Sequence, residues 1–280
     1  MTLTWQMFLT VCPLVFLAGF VDSVAGGGGL ISLPAYYLAG LPPVMAAGTT
    51  KLSACLGTLA ASGRYLAGLP PVMAAGTNKL SACLGTLAAS GRFLAGRAVH
   101  LPTALLAALG AFPGSWLGTA VLKHIPEQTI RVMMVAAIPL VAVVVLRKKT
   151  LGGKRITPEK LDMPVSFCIG LVVGFYDGLI GPGTGTFLIL LFTSLLGMEA
   201  VMASGTAKLV NLTSNLASLL SLLLAGKVIL LLGLPAAACG IAGNLLGAGM
   251  TIKRGSGFIR GMLMVVLALL LAKMVWDMVQ

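Results

Sequence analysis

Gly19-Phe-Val-Asp-Ser-Val-Ala-Gly-Gly-Gly-Gly29 sets a carboxylate, Asp22, and four consecutive glycines inside a run that is otherwise apolar. A second version, Gly174-Phe-Tyr-Asp-Gly-Leu-Ile-Gly-Pro-Gly-Thr-Gly185, stands halfway along the chain. Each apolar run predicts a helix, and each glycine cluster predicts where that helix stops, because glycine loses the most backbone freedom in helical form. If the runs lie in a bilayer, non-helical backbone there is tolerated only where protein or a polar cavity satisfies it. Gly26, Gly27, Gly28, Gly181 and Gly183 are therefore expected to line a cavity. Close packing of helices through small residues is the plainer use of glycine. It accounts for Gly114, Gly118, Gly243 and Gly247, at small-xxx-small spacing, but not for four in a row.

Composition places these runs in a membrane. Hydrophobic residues make up 58% of the chain and charged residues 9%, against about 25% charged in soluble domains, and the mean hydropathy is +1.02. Apolar runs of the ~20 residues that cross a bilayer as helix recur from end to end, and alternating barrel-type segments do not. The fold class is all-α, a polytopic helical membrane protein with about 8 to 10 membrane segments. Candidate helices are 5–25, 29–40, 44–65, 72–95, 98–122, 128–147, 163–180, 185–197, 200–225, 228–251 and 257–279. Two of them, 29–40 and 185–197, are too short to span alone and read as broken or re-entrant helices beside their glycine-rich neighbours.

The first run has no Lys or Arg before it and no small-x-small cleavage site, so it reads as a membrane helix and not as a removed leader. The net charge of +12 sits at the ends of apolar runs and in one loop. That pattern fits orientation signals and lipid headgroup contact, with no nucleic acid partner. The five cysteines, Cys12, Cys55, Cys83, Cys168 and Cys239, are scattered singly and read as free thiols. His100 and His124 lie apart, so no metal is expected. A Walker A motif is absent and no soluble domain is present to hold ATP, so no cofactor is expected and any transport is gradient-driven or passive.

The chain repeats itself at two levels. Val72-Met-Ala-Ala-Gly-Thr-Asn-Lys-Leu80 aligns with Val201-Met-Ala-Ser-Gly-Thr-Ala-Lys-Leu209 at a shift of 129 positions, as do Gly114 and Gly118 with Gly243 and Gly247, and Ile130-Arg131 with Ile259-Arg260. Residues 1–147 and 163–280 are thus read as two related repeats joined by a basic cytoplasmic linker, 148–162. Such halves are the signature of a transporter with its site at their interface, and they are inverted if each crosses an odd number of times. The second level is a tandem block: 38–65 recurs as 66–93, changed only from Thr50 to Asn78 and from Tyr65 to Phe93. The second copy is in register with the C-terminal half, which favours it for the native helix position; the first, contiguous with the glycine stretch, could equally fill that place.

Of seven acidic residues, only Asp22 and Asp177 lie deep in apolar sequence, at equivalent positions in the two halves. An ionised group there costs at least ~2.5 kcal/mol on insertion scales and needs a partner or a watery path. Each Asp either caps its helix break or serves the site, and the two roles are compatible. Each glycine stretch is followed by Gly-Thr-x-Lys: Gly48-Thr-Thr-Lys51 and Gly76-Thr-Asn-Lys79 in the first half, and Gly205-Thr-Ala-Lys208 in the second. This element reads as a helix start, with Thr49, Thr77 or Thr206 as N-cap and Lys51, Lys79 or Lys208 in the first turn. Free N–H groups and an ammonium would then converge on an anion. Lysine opposes the helix dipole at that position and asks for a negative partner, either a bound anion or the carboxylates of Asp22 and Asp177. Asn211 falls three residues after Lys208, on about the same face. Asn215 and Ser214 read as interhelical hydrogen bonds.

With these motifs the chain resembles the TauE/SafE family of membrane transport proteins, called sulfite exporters after some members. The residues that carry the resemblance are the stretch from Gly19 to Leu30, Leu38-Ala-Gly-Leu-Pro-Pro with Gly76-Thr-Asn-Lys79, the stretch from Gly174 to Gly185, and Gly205-Thr-Ala-Lys208. Asn78 fits the family's usual Gly-Thr-Asn-Lys better than Thr50 does, which supports the second copy as the working one. The resemblance implies about eight helices in two repeats and a bacterial plasma membrane protein moving sulfite, sulfonates or related small organic anions. The partners implied are a small anionic substrate and the lipid bilayer; a homo-oligomer is left open. A passive anion channel is the alternative that sequence does not separate from a carrier. An intramembrane aspartyl protease would also need two buried carboxylates, but neither Asp follows Gly-x-Gly and the two lie in equivalent halves.

Overall fold

A computed structural model describes residues 5–26, 28, 32, 71–126, 129, 157–181 and 183–279. Apart from residues 32 and 129, the expected helices at 29–40, 44–65 and 128–147 lie outside these residues, as do most of the basic linker and the first copy of the tandem block. Among the described residues every regular element is a helix. In chain order they are α1 (Trp5–Ala25), α2 (Pro71–Ala95), α3 (Leu101–Leu122), α4 (Asp162–Leu179, entered through a 3-10 turn at Glu159–Leu161), α5 (Thr184–Leu195), α6 (Ala200–Leu224) and α7 (Leu230–Val279). The last is two helices joined at Gly255, which has a φ of 71°.

The glycine stretches end helices as their composition dictates. α1 stops at Ala25 and Gly26 turns into the left-handed region, with a φ of 75°. α4 stops at Leu179, and Gly181 and Gly183 follow at φ 89° and 82°. α5 then starts directly at Thr184 and has 12 residues. At 1.5 Å per residue that is about 18 Å, well short of the roughly 30 Å hydrocarbon core, so α5 is the broken helix its length predicted. Among the described residues five segments are long and apolar enough to cross a membrane: Phe8–Ala25, Leu101–Leu122, Glu159–Leu179, Ala200–Leu224 and Leu230–Met262. Leu105, Leu109, Leu117, Val172, Leu231 and Leu234 stand exposed on outward faces, where lipid takes the place of water.

Helix packing follows the small residues. α3 lies against α4 with Gly110, Gly114 and Gly118 over the backbone of Phe167, Leu171 and Phe175, while Gly170, Gly174 and Gly178 of α4 face Ala107, Ala111 and Ser115. A Cβ at any of the six would overlap a facing main-chain atom. α1 and α7 meet in the same way, Gly243 and Gly247 against the carbonyls of Phe16 and Phe20, and Gly19 against that of Gly240. Spacing of four on both members lets two backbones approach along their length. In each contact one helix comes from residues 1–147 and the other from 163–280. The correspondence of elements is close: α2 and α6 have 25 residues each and both start and end 129 positions apart, and α3 and α7 start 129 positions apart.

Gly170→Leu should cost at least the roughly 1–3 kcal/mol typical of overpacking, read as a lowered thermal unfolding midpoint in detergent. Gly91, which has nothing within 4 Å of an added Cβ, supplies the control. Gly91→Ala should hold or raise the midpoint, since alanine is favoured over glycine in a helix by about 0.5–1 kcal/mol. Equal midpoints for the two variants would exclude the close approach of α3 and α4.

Candidate functional site

The carboxylates of Asp22, partly buried, and Asp177, buried, lie in the last turns of α1 and α4, immediately before the glycine breaks. The two lysines occupy the ninth position of α2 and of α6. The ion pairs are crossed between halves. Lys79 Nζ donates to Asp177 Oδ2 at 2.6 Å and to Asn215 Oδ1 at 3.0 Å. Lys208 Nζ donates to Asp22 Oδ2. Lys208 is 1% exposed, and in hydrocarbon-like surroundings its ammonium is tolerable only because that carboxylate meets it.

Each carboxylate also holds the loop that follows its own helix. Asp22 Oδ1 accepts from the backbone N–H of Gly28 at 3.2 Å. Asp177 Oδ1 lies 2.9 Å from the Thr184 hydroxyl, which also stands 2.6 Å from the Gly181 carbonyl oxygen. Capping of the helix break, expected for these residues, coexists with ion pairing, one oxygen being given to each. The two breaks also touch one another. Gly26 backs onto Gly185 so closely that a Cβ on either would overlap the other's backbone, and Thr186 Oγ1 donates to the Ala25 carbonyl at 2.8 Å.

Gly-Thr-x-Lys is not a helix start. α2 begins at Pro71, where proline's fixed φ and missing N–H suit a first turn, and α6 begins at Ala200, so Thr77 and Thr206 are each seven residues into their helices. Their N–H groups are spent within the helix, and the expected anion cradle of free amides at these lysines is absent. The motif does a different job, in matching form on both sides. Without a Cβ, Gly76 admits the Lys227 carbonyl and Gly205 the Ala98 carbonyl. The Thr77 hydroxyl donates to the Met73 carbonyl at 2.8 Å and accepts from the Ile229 N–H at 3.0 Å; Thr206 accepts from the His100 N–H at 3.0 Å. Ile229 and His100 immediately precede α7 and α3, so each threonine satisfies an orphan donor at the start of a neighbouring helix. Ala98 and Lys227, like His100 and Ile229, are 129 positions apart.

A cavity of about 70 Å³ opens where α1, α2, α4, α5, α6 and α7 converge. Of the residues singled out from sequence, Asp22, Gly26, Gly28, Asn78, Lys79, Asp177, Gly181 and Asn211 line it. Thr77 and Thr206 are turned to capping, Lys208 lies behind Asp22, and Gly183 is the N-cap of α5. Gly27, Thr49 and Lys51 lie outside the described residues. The cavity also recruits residues that sequence reading did not place there. Asn215, seven residues after Lys208 and so on its face, was legible from helical spacing. Asn244 carried no such signal: its Oδ1 accepts from Ser23 at 2.6 Å, its Nδ2 donates to the Gly240 carbonyl at 2.9 Å, and it fills the space left bare by Gly19 and Gly85.

The model of the family described as sulfite exporter TauE/SafE matches residues 11–69 and 64–274. The chain belongs to the TauE/SafE family. Two overlapping matched spans are what a chain carrying one block twice would give. Among curated relatives, this TauE/SafE chain is 34% identical over 262 residues to a probable membrane transporter protein of Haemophilus influenzae, covering 94% of this chain and 92% of that one. It is 31% identical over 282 residues to the probable membrane transporter protein YfcA of Escherichia coli K12, covering 98% and 94%. It is 30% identical over 264 residues to the probable membrane transporter protein ORF9 of a Sinorhizobium species, covering 94% and 90%. No solved structure matches it. With its membrane-length helices, this TauE/SafE chain is a multi-pass transporter of the bacterial inner membrane, and not an enzyme.

The crossed pairing predicts a specific double-mutant pattern. Asp22→Asn strands the Lys208 ammonium and should cost about 3–5 kcal/mol of stability, whereas Asp22→Asn with Lys208→Met removes both charges and should recover most of it. Unfolding midpoints of the purified variants in detergent measure this. A double variant no more stable than the single would mean that the two residues are not partners.

Proposed function

We propose that the protein is a gradient-driven carrier of small sulfur oxyanions and sulfonates, bound in the cavity between the two halves. The observation that carries this reading is the convergence of Lys79 and the Lys208–Asp22 pair on a small cavity at two helix breaks. Broken helices around a midplane site, contributed by two related and inverted halves, are how many secondary transporters are built. Size is compatible with that substrate class. One water needs about 10–15 Å³ by the same measure, so a cavity of about 70 Å³ has room for a small solute such as sulfite or a short sulfonate.

Charge sets the coupling. Lys79, Lys208, Asp22 and Asp177 sum to zero, so an anion entering alone would leave an uncompensated negative charge in a region of low dielectric. The site stays neutral if a substrate oxygen takes the place of Asp177 Oδ2 at the Lys79 ammonium and the displaced carboxylate takes up a proton. Asp177 is suited to this exchange because both it and Lys79 line the cavity, whereas Lys208 is sealed behind Asp22.

Methanesulfonate, which is permanently ionised and does not leak through lipid as a neutral acid, is a suitable probe in proteoliposomes. With an acid exterior it should accumulate inside above its external concentration, accumulation should collapse with a protonophore, and Lys79→Gln should reduce it by at least tenfold, roughly the effect of one charge-assisted hydrogen bond. Flux that only equilibrates the anion would replace the carrier with a passive channel, and full activity in Lys79→Gln would remove the site.

A further inference from the structure

Four asparagines line the cavity. The oxygens of Asn78 and Asn211 are sealed inside the protein, and Asn244 is spent at both ends, accepting from Ser23 and donating to the Gly240 carbonyl. Asn215 differs from all three. It stands on α6, is 7% exposed, and its Oδ1 accepts from Lys79 Nζ at 3.0 Å. An ammonium group only donates, so the atom facing it is the carboxamide oxygen and the orientation of the amide is fixed. The nitrogen, with its two N–H donors, is turned the other way. Among the described residues it makes no hydrogen bond, and it is not one of the unpartnered side-chain atoms closed off from solvent. It therefore offers its donors to the cavity that Asn215 lines.

Lys79 is in the same condition. Its ammonium carries three N–H donors and spends one on Asp177 and one on Asn215. The third meets no acceptor among the described residues. Unspent donors of two side chains thus meet at one corner of the cavity, held together by the bond between those side chains. The other half is built without such a corner. Among the described residues Lys208 donates to Asp22 alone, and the position 129 residues before Asn215 is taken by Thr86. Holding a lysine in its ion pair therefore does not by itself call for an asparagine.

Resting on the carrier reading above, we propose that Asn215 is a specificity-determining residue of the anion site: its oxygen aims the Lys79 ammonium, and its N–H group donates to a second oxygen of the anion that the ammonium binds. When an anion oxygen replaces Asp177 at Lys79, Asn215 still holds the ammonium in place. Being neutral, it neither repels the anion nor takes up the proton. The two donors select anions with several oxygens on one centre, such as sulfonates and sulfite, over halides. A halide seated on the ammonium offers a single centre and leaves the amide N–H bare, and a site with buried polar groups rejects a ligand that leaves them unpaired.

Equilibrium binding of radiolabelled methanesulfonate to the purified full chain in detergent, with unlabelled methanesulfonate or chloride as the competitor, tests this. On the wild type chloride should compete only at a concentration at least roughly tenfold above that of methanesulfonate. Asn215→Leu should weaken methanesulfonate at least roughly tenfold, the effect of one hydrogen bond to a charged group, and chloride less, so that the two draw together. Asn215→Asp keeps the shape and still accepts from Lys79 but has no N–H to donate, and it covers the case of a leucine variant that does not fold. It should also bind methanesulfonate at least roughly tenfold more weakly. Wild-type affinity for methanesulfonate in either variant would overturn the proposal. So would a wild type that binds the two anions equally, or an Asn215→Leu variant that weakens both by the same factor, which is what a merely structural role would give. If the wild type binds neither anion, the carrier reading itself fails and this proposal falls with it.

Discussion

The crossed pairing of Lys208 with Asp22 and of Lys79 with Asp177 is the constraint on which the remaining structure depends. Two ammonium groups and two carboxylates are held within apolar sequence, and none of the four is tolerable there alone. Replacing a buried ion pair with matched apolar residues is often neutral or stabilising. Retaining two such pairs, each reaching from one half of the chain into the other, is therefore poorly explained by stability. It is well explained by a site that needs exchangeable charge.

The surrounding fold holds those four residues in place. Asp22 and Asp177 lie in the last turns before their helices break, and each spends one oxygen on the loop beyond it. The breaks press on each other at Gly26 and Gly185, where neither position has room for a side chain. The lysine helices are anchored through Gly-Thr contacts with the starts of α7 and α3, and the glycine faces of α3 with α4 and of α1 with α7 lock the halves together.

Much of this was legible in sequence. A run of apolar residues stopped by glycine gave α1 and α4 their ends, and the constant shift of 129 positions foretold that α2 and α6 would match. Asp22, Asp177, Lys79 and Lys208 stood out because charge in apolar sequence is costly. The Gly-Thr-x-Lys element misled because capping patterns are local: threonine before a polar residue looks like a helix start, whereas Pro71 had already begun α2. What the threonine caps is a different helix, far away in sequence, and nothing in the motif itself encodes that. Asn244 was hidden for a similar reason, since its place depends on two glycines, Gly19 and Gly85, that become neighbours only on folding. Of the tandem block, the second copy supplies Lys79 to Asp177, and Asp22 is met by Lys208 of the C-terminal half.

The central claim is that the transported anion displaces Asp177 from Lys79 and that the freed carboxylate takes up a proton. Proton uptake on binding measures it most directly: methanesulfonate is added to the purified protein in weakly buffered detergent solution and the pH change is recorded. Alkalinisation that saturates with anion binding, and that disappears in Asp177→Asn while anion binding persists, is the predicted result. Saturable binding of the anion by the wild type with no change in pH would contradict the account.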